Sequence, residues 1–484
     1  MEQKLGTDAV KLTIVKVLTT FLTMLSAMLL SRFRTLSEYG TYSQIQLITT
    51  TVVSIFAIGM PNSINYFLAK ADTKEERGVF LSVYYSTCTI TGIVAGLFSV
   101  TLIPVFEIYF KNGYLGIYWY FLLLYPWTKI ILSGIENILI VYHNIKRLFV
   151  FKVLYSVFTL LIILIAWLAD ISFYVYMLFF IGVEVLFSLW TYFISARESG
   201  GLKFSIEKKI IMEIFTFSLP IGLSSIISTI SIEIDKALIG FLYTTEEMAI
   251  YTNASKEMPV SIIATSITAV LLPQLVKLLA KEKKEQAIYL WDKATQLSYI
   301  FIAFIAFALF IFAPEIITLL YSEKYLPGVN VFRVYSLVLL LRVTYFGMIL
   351  NAVGKTKFIF YTSIVSLILN VVLNLVCYYM FGFIGPAIAT FLSIIIMAFV
   401  QLVYTAKVLK IDLSKIFPWK NLFKITLINI GMSIIVYKFR EMLLTENLYH
   451  NVLIAIVLGG IWLLVYLVLE KKNIVGLWKS LNSQ

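Results

Sequence analysis

The feature that most constrains this chain is a series of apolar runs, each about 20 residues long, that continues from one end of the sequence to the other. A helix of about 20 apolar residues crosses the hydrocarbon core of a bilayer. The sequence therefore predicts an all-α integral membrane protein with about 14 transmembrane helices. We place them near residues 12–31, 41–69, 78–104, 115–141, 150–168, 173–194, 213–240, 251–279, 289–312, 330–350, 358–379, 385–408, 421–438 and 450–470.

The composition agrees with a membrane protein and argues against a nucleic-acid partner. Charged residues make up 14% of the chain, whereas soluble proteins carry about 25%. The net charge of +12 would suggest nucleic-acid binding in a soluble protein. Here the basic residues lie in short connectors between apolar runs, so we expect membrane lipids, and no nucleic acid, around this chain.

The basic residues also predict an orientation. Alternate connectors, including both termini, hold 26 lysine and arginine residues, and the other connectors hold six. By the positive-inside rule, both termini are cytoplasmic and the number of spans is even. Because no connector exceeds roughly 20 residues, we expect no soluble catalytic domain and no catalytic residues.

Three features that could suggest a metal or cofactor have simpler explanations. Cys88 and Cys377 lie in separate apolar runs without C-x-x-C spacing, and both histidines lie at span ends. Gly354-Lys355-Thr356 resembles the end of a P-loop, but position 349, where the motif needs glycine, is isoleucine. We therefore expect no metal and no cofactor.

A polar stripe marks the seventh run. Ser224, Ser228, Ser231 and Asp235 are spaced by four, three and four residues, which places them on one side of a helix. The stripe either packs against another helix, as small hydroxyl residues often do, or lines a water-filled lumen. We expect Glu233 and Lys236 to form a local ion pair.

Several of these features recur about 205 to 212 residues apart. Thr19, Thr23 and Ser26 repeat the serine spacing of the seventh run, and Ser37–Tyr42 matches Glu246–Tyr251. The offset corresponds to six spans, and an even number makes the two copies parallel. We therefore predict an N-terminal lobe at 1–212, a C-terminal lobe at 213–410, and two further helices with a cytoplasmic tail at 411–484.

Three stretches resemble the polysaccharide flippases of the multidrug/oligosaccharidyl-lipid/polysaccharide export superfamily. The first runs from Leu36-Ser-Glu-Tyr-Gly-Thr-Tyr42 to Gly59-Met-Pro61, and the second from Ile234-Asp-Lys236 to Leu272-Pro273. The third and most specific runs from Asn351-Ala-Val-Gly-Lys-Thr-Lys357 through Asn370 and Asn374 to Phe381-Gly-Phe-Ile-Gly-Pro-Ala-Ile-Ala-Thr390. Pro386 departs from the alanine that is frequent in similar sequences.

The resemblance implies two six-helix lobes arranged in a V, with two helices appended, in the bacterial inner membrane. It also implies transfer of a polyprenyl-pyrophosphate-linked oligosaccharide from the cytoplasmic to the outer leaflet, without covalent chemistry. A polysaccharide polymerase and a chain-length regulator are the protein partners that it suggests.

A pyrophosphate substrate requires cations inside the membrane. The cations that the sequence offers as substrate ligands are Lys129, Arg342, Arg333 and Lys256, and Asp235 belongs to the same predicted cavity. Arg333 and Arg342 are nine residues apart and would lie on opposite faces of one helix, so we prefer Arg342. Arg333 could instead snorkel to the outer surface.

Two acidic residues are candidates for ion coupling. Glu136 lies seven residues after Lys129, on the same helix face, and we expect these two to pair loosely. Glu184 has no cation near it in sequence, so it is either a proton acceptor with a raised affinity for protons or a neutral packing residue.

Two other functions compete with the flippase. A cation-coupled drug exporter of the same superfamily is compatible with Glu136 and Glu184, but less so with Lys129 and Arg342. A membrane-embedded polysaccharide polymerase would need a large outer loop or a histidine-based site, and the sequence contains neither.

Overall fold

The computed structural model of the protein describes residues 2–482, although the side chains of 2–11, 261, 269, 448 and 482 are left out of the description. Within those residues all regular secondary structure is helical, which confirms the predicted fold class. The chain forms two compact units, Met1–Ala249 and Ile250–Gln484.

The first unit contains ten α-helices. They are α1 (Glu2–Phe33), α2 (Leu36–Ala57), α3 (Pro61–Lys70), α4 (Lys74–Thr101), α5 (Ile103–Phe110), α6 (Trp119–Ser133), α7 (Ile135–Val141), α8 (Ile145–Leu168), α9 (Phe173–Ser199) and α10 (Lys208–Leu242). Glycines allow α4 and α6 to pack closely, because a Cβ on Gly96 would lie 2.0 Å from the carbonyl oxygen of Leu123.

The second unit begins within α11 and contains the remaining helices. They are α11 (Thr245–Ala254), α12 (Ile262–Ala280), α13 (Lys284–Ile311), α14 (Ala313–Leu320), α15 (Val329–Val338), α16 (Met348–Ala352), α17 (Thr356–Phe381), α18 (Gly385–Leu409), α19 (Leu413–Ile416), α20 (Trp419–Leu443) and α21 (Leu448–Asn482). Its core forms around α13, onto which Trp462 and Tyr466 of α21 pack.

The order and length of the helices repeat between the two units. Helices α4 and α13 both have 28 residues and begin 210 positions apart, at Lys74 and Lys284. The next helices, α5 and α14, both have eight residues and also begin 210 positions apart. The predicted repeat is therefore visible in the helices themselves.

The start of the repeat also has the same local chemistry in each copy. Thr35 caps α2 through a reciprocal pair of hydrogen bonds with Glu38. Thr244 and Glu247 make the same pair before α11, at an offset of 209 residues. Such a capping box satisfies backbone N–H groups that the first turn of a helix leaves free.

The contacts group α10 with the first unit, because it packs on α2 through a very close approach at Gly222. A Cβ there would lie 2.5 Å from the carbonyl of Ile58. The predicted lobe boundary at 212/213 was placed at the start of the second copy of the repeat, whereas the contacts divide the chain at 249/250. The lobe boundary stays a prediction.

The number of spans differs in detail from the predicted fourteen. Twelve helical segments in the described part of the chain are long and apolar enough to cross a membrane. One of them, Thr356–Leu409, contains two helices, α17 and α18. The predicted tenth span is not continuous: after α15 it forms one 3-10 turn, Leu339–Leu341, and is irregular until α16.

Candidate functional site

A buried ion pair joins three helices of the first unit. Lys129 of α6 donates hydrogen bonds to Glu184 of α9 at 2.9 Å and to the Tyr155 hydroxyl of α8 at 3.0 Å. Tyr155 also donates a hydrogen bond to the same Glu184 oxygen. One carboxylate oxygen thus receives two donors, and the three helices are tied together at this point.

Aromatic and amide groups surround this pair. The Lys129 ammonium lies 4.6 Å from the centroid of the Tyr125 ring, a distance that suits a cation–π contact. The Tyr125 hydroxyl is in turn hydrogen-bonded to the side chain of Gln46 on α2. The cation is therefore held by one carboxylate, one hydroxyl and the rings of Tyr125 and Tyr155.

The two charges differ in their exposure. Glu184 is 1% exposed and its second oxygen, Oε2, receives no hydrogen bond within the described residues, whereas the Lys129 side chain is 30% exposed. Glu184 has no cation near it in sequence, but Lys129, 55 residues away, reaches it across the helix interface. A ligand can therefore reach this ion pair only through Lys129.

Glu136 belongs to a separate cluster. It binds Lys152 of α8 and lies 3.4 Å from Lys16 of α1. The predicted pairing of Glu136 with Lys129 was therefore wrong, because both residues have closer partners on neighbouring helices. This cluster joins α1, α7 and α8.

The second unit has an ion pair of its own at the broken segment. Arg342 follows the Leu339–Leu341 turn and its Nη2 donates a hydrogen bond to Glu257 at 2.8 Å. The Arg342 side chain is 39% exposed and that of Glu257 30%. The arginine is thus held by one carboxylate and keeps part of its guanidinium open to a ligand.

The structure changes the reason for preferring Arg342 over Arg333. The helix ends between them, so their nine-residue spacing does not place them on opposite faces of one helix. Arg333 donates to the side chain of Asn330 at 3.2 Å and lies 5.6 Å from the centroid of the Phe310 ring. Its contacts are local to α15 and the end of α13.

The polar stripe of α10 runs from exposed to buried positions. Ser224 and Ser228 are exposed, Ser231 is half-buried, and Asp235 is 1% exposed and accepts the backbone N–H of Lys236. The local pair of Lys236 with Glu233 is confirmed, at 2.9 Å. Lys256, the remaining predicted cation, is exposed.

This gradient predicts different chemical reactivity along the stripe. In a protein whose buried Cys88 and Cys377 are replaced by alanine, we expect Ser224→Cys and Ser228→Cys to react with a membrane-impermeant thiol reagent and Asp235→Cys to be slow. Cysteines at Ile226 and Ile230 serve as matched controls off the stripe. If positions 224 and 228 are no more reactive than these controls, the stripe faces lipid or a packed helix.

Sequence reasoning missed the residues that hold the two cations. Tyr155, Tyr125 and Gln46 surround Lys129, and Glu257 holds Arg342. Glu257 carried one usable signal, since it is a charged residue beside Lys256 within the predicted eighth span. The tyrosines carried none, because aromatic residues are frequent throughout this chain.

The sequence and the fold both match known membrane proteins. A profile of the family described as "Polysaccharide biosynthesis protein" matches residues 29–330. No curated protein sequence matches the chain significantly.

Among solved structures, the chain is similar to the lipid II flippase MurJ in an inward closed conformation, with a TM-score of 0.71 and 17% identity over 95% of this chain and 99% of MurJ. It is also similar to an inward-facing multidrug resistance MATE family transporter of the MOP superfamily, with a TM-score of 0.61 and 17% identity over 83% of this chain and 98% of the transporter. A mutant form of the Vibrio cholerae MATE transporter VcmN gives a TM-score of 0.57 and 17% identity, over 84% of this chain and 97% of that protein. At these identities the likeness shows a shared fold.

Proposed function

Because this chain belongs to the polysaccharide biosynthesis protein family, within the multidrug/oligosaccharidyl-lipid/polysaccharide export superfamily, we propose that it is a flippase for a polyprenyl-pyrophosphate-linked oligosaccharide. It moves this lipid from the cytoplasmic to the outer leaflet for the synthesis of a cell-surface polysaccharide. Transport proceeds by alternating access and makes or breaks no covalent bond.

The observation that carries this proposal is that the two candidate cations are only partly paired and partly exposed. Lys129 and Arg342 each have a single carboxylate partner and a partly exposed side chain. A pyrophosphate offers more negative charge than one carboxylate and suits both an ammonium and the forked donors of a guanidinium. Each cation can therefore bind a pyrophosphate from its exposed side.

The proposal extends to orientation and partners. The chain is a multi-pass membrane protein, which we place in the bacterial inner membrane, and the distribution of basic residues supports both termini in the cytoplasm. A polysaccharide polymerase and a chain-length regulator are the partners that would consume the flipped oligosaccharide. Asp235, Arg333 and Lys256 remain proposed members of the substrate path.

The test uses the natural substrate in the native host. Deleting the gene should remove the surface polysaccharide and leave the lipid-linked oligosaccharide at the cytoplasmic face, which lectin labelling of right-side-out and inverted vesicles distinguishes. A plasmid copy should restore both. An unchanged sidedness of the lipid-linked oligosaccharide in the deletion strain would refute the proposal.

A cation-coupled drug exporter is the second candidate, and one observation favours it. Glu184 is a buried carboxylate in an apolar helix, and an acidic residue inside the first lobe is what a cation-coupled exporter would need. In that case, inverted vesicles should accumulate ethidium when a pH gradient is applied. The deletion strain would then keep its surface polysaccharide.

A further inference from the structure

A basic pocket of about 330 Å³ lies where α13, α20 and α21 meet in the second unit. Three lysines, one from each helix, line it: Lys293, Lys424 and Lys472. No carboxylate is among the described residues that line the pocket, and the amides of Asn421 and Asn473 offer further donors. We propose that this pocket binds the phosphate of an anionic phospholipid head group.

Two hydrogen bonds fix the three helices against one another at the inner end of this pocket. The Tyr466 hydroxyl of α21 donates to the backbone oxygen of Ile300 on α13 at 2.9 Å. The hydroxyls of Tyr299 on α13 and Thr426 on α20 are 2.7 Å apart. Each lysine lies within about 11 Å of the bonded residue on its own helix. Lys293 and Lys424 lie toward the start of α13 and α20, and Lys472 lies toward the end of α21.

Two of the lysines have charge available for a ligand. Within the described residues, Lys424 and Lys472 are exposed and form no ion pair, and Lys293 is 3.7 Å from Asp292. The nearest acidic groups, Asp292 and Glu470, are hydrogen-bonded to amides that line the pocket. Asp292 also accepts a hydrogen bond from Gln296, and Glu470 accepts one from Asn473 at 2.6 Å.

The positive-inside rule accounts for lysines in connectors, but not for three lysines from three helices around one cavity. Basic pockets between transmembrane helices on the cytoplasmic side are the setting in which anionic lipid head groups bind. The volume is at the lower end of the roughly 300–1,000 Å³ that ligand pockets occupy, which fits a head group.

The apolar side of the pocket favours a lipid over free phosphate. Ile300, Ile425 and Leu477 are buried and line it. From Tyr289 at the rim to Ile300, the pocket follows α13 for about 16 Å, which is longer than a phosphate group. A basic rim above an apolar wall matches a phospholipid glycerophosphate with the start of its acyl chains.

The proposed lipid also has a structural role. Helices α20 and α21 pack on α13, and a phosphate bound among the three lysines reduces their mutual repulsion where these helices meet. Trp478, exposed beyond the pocket on α21, is of the type that anchors a helix at the membrane interface. Anionic lipid would therefore hold the last two long helices against the rest of the unit.

The experiment compares two triple variants of the full-length protein by native mass spectrometry with added lipid. The pocket variant carries Lys293→Gln, Lys424→Gln and Lys472→Gln. The control variant carries Lys277→Gln, Lys281→Gln and Lys407→Gln, which removes the same charge from exposed lysines outside the pocket lining. Circular dichroism verifies that both are folded.

The probes are dioleoylphosphatidylglycerol, dioleoylphosphatidylcholine and inorganic phosphate. We expect the pocket variant to bind phosphatidylglycerol about tenfold or more weakly than the wild type, and the control to bind it as the wild type does. Equal losses in both variants, or equal binding of phosphatidylcholine, would overturn the proposal. If inorganic phosphate displaces the phosphatidylglycerol at equal concentration, the site belongs to soluble phosphate instead of a lipid.

Discussion

Replacement of Lys129 with methionine is expected to lower the stability of the protein strongly, because Glu184 would remain buried without its cation. Removing one partner of a buried ion pair costs about 3–5 kcal/mol. Thermal unfolding in detergent, followed by tryptophan fluorescence, measures the effect. Lys152→Met is the matched control: Glu136 is partly exposed and keeps Lys16 at 3.4 Å, so the loss there should be small.

The double variant Lys129→Met/Glu184→Leu separates the structural role of the pair from a role in transport. Replacing both charges with apolar groups should recover most of the lost stability, since no unpaired charge is left behind. If Lys129 binds the substrate, surface polysaccharide stays absent in the recovered protein. Restored stability together with restored polysaccharide would reduce Lys129 to a structural residue.

Arg342→Ala should lose transport while its stability is almost unchanged, whereas Lys129→Met should lose stability as well. Both Arg342 and Glu257 are about one third exposed, and ion pairs of that kind contribute about 0–1 kcal/mol. Arg342→Lys should keep part of the activity, because the charge survives but the fork of donors does not. Surface polysaccharide and protein level in the membrane fraction are the two measurements.

Two further variants test whether the loss of transport is specific to Arg342. Arg333→Ala removes an arginine from the preceding helix, and its contacts with Asn330 and Phe310 are local, so transport should be less affected. Glu257→Gln leaves Arg342 in place without its carboxylate and should not abolish transport. A normal amount of surface polysaccharide in Arg342→Ala would contradict a role in substrate binding.

The sequence was informative where local chemistry decides structure. Apolar runs long enough to span a bilayer identified the all-helical membrane class, because backbone groups in lipid must be satisfied within each segment. Threonine and glutamate spaced by three residues start equivalent helices in both copies of the repeat, as the matching of Ser37–Tyr42 with Glu246–Tyr251 had suggested.

The sequence was uninformative where contacts between helices determine the partner of a side chain or the end of a helix. Lys129 and Glu184 are 55 residues apart, and helical spacing on α6 pointed to Glu136 as the partner instead. The break after α15 has only one local signal, Gly347 at its far end, since residues 329–346 contain neither proline nor glycine. There the Trp291 side chain donates to Thr344 at 2.9 Å, so a tertiary contact holds the irregular segment.

The repeat of helix lengths separates the features that the two copies share from those in which they differ. The fourth and fifth helices of the first copy have the same number of residues as their counterparts, although their side chains have diverged. In both copies the segment that carries the proposed substrate-binding cation is broken, after Ser133 in one and after Val338 in the other. The cations themselves are a lysine and an arginine at positions that do not correspond. The two copies therefore share helix lengths and a broken segment, while the charged group near the break is different in each.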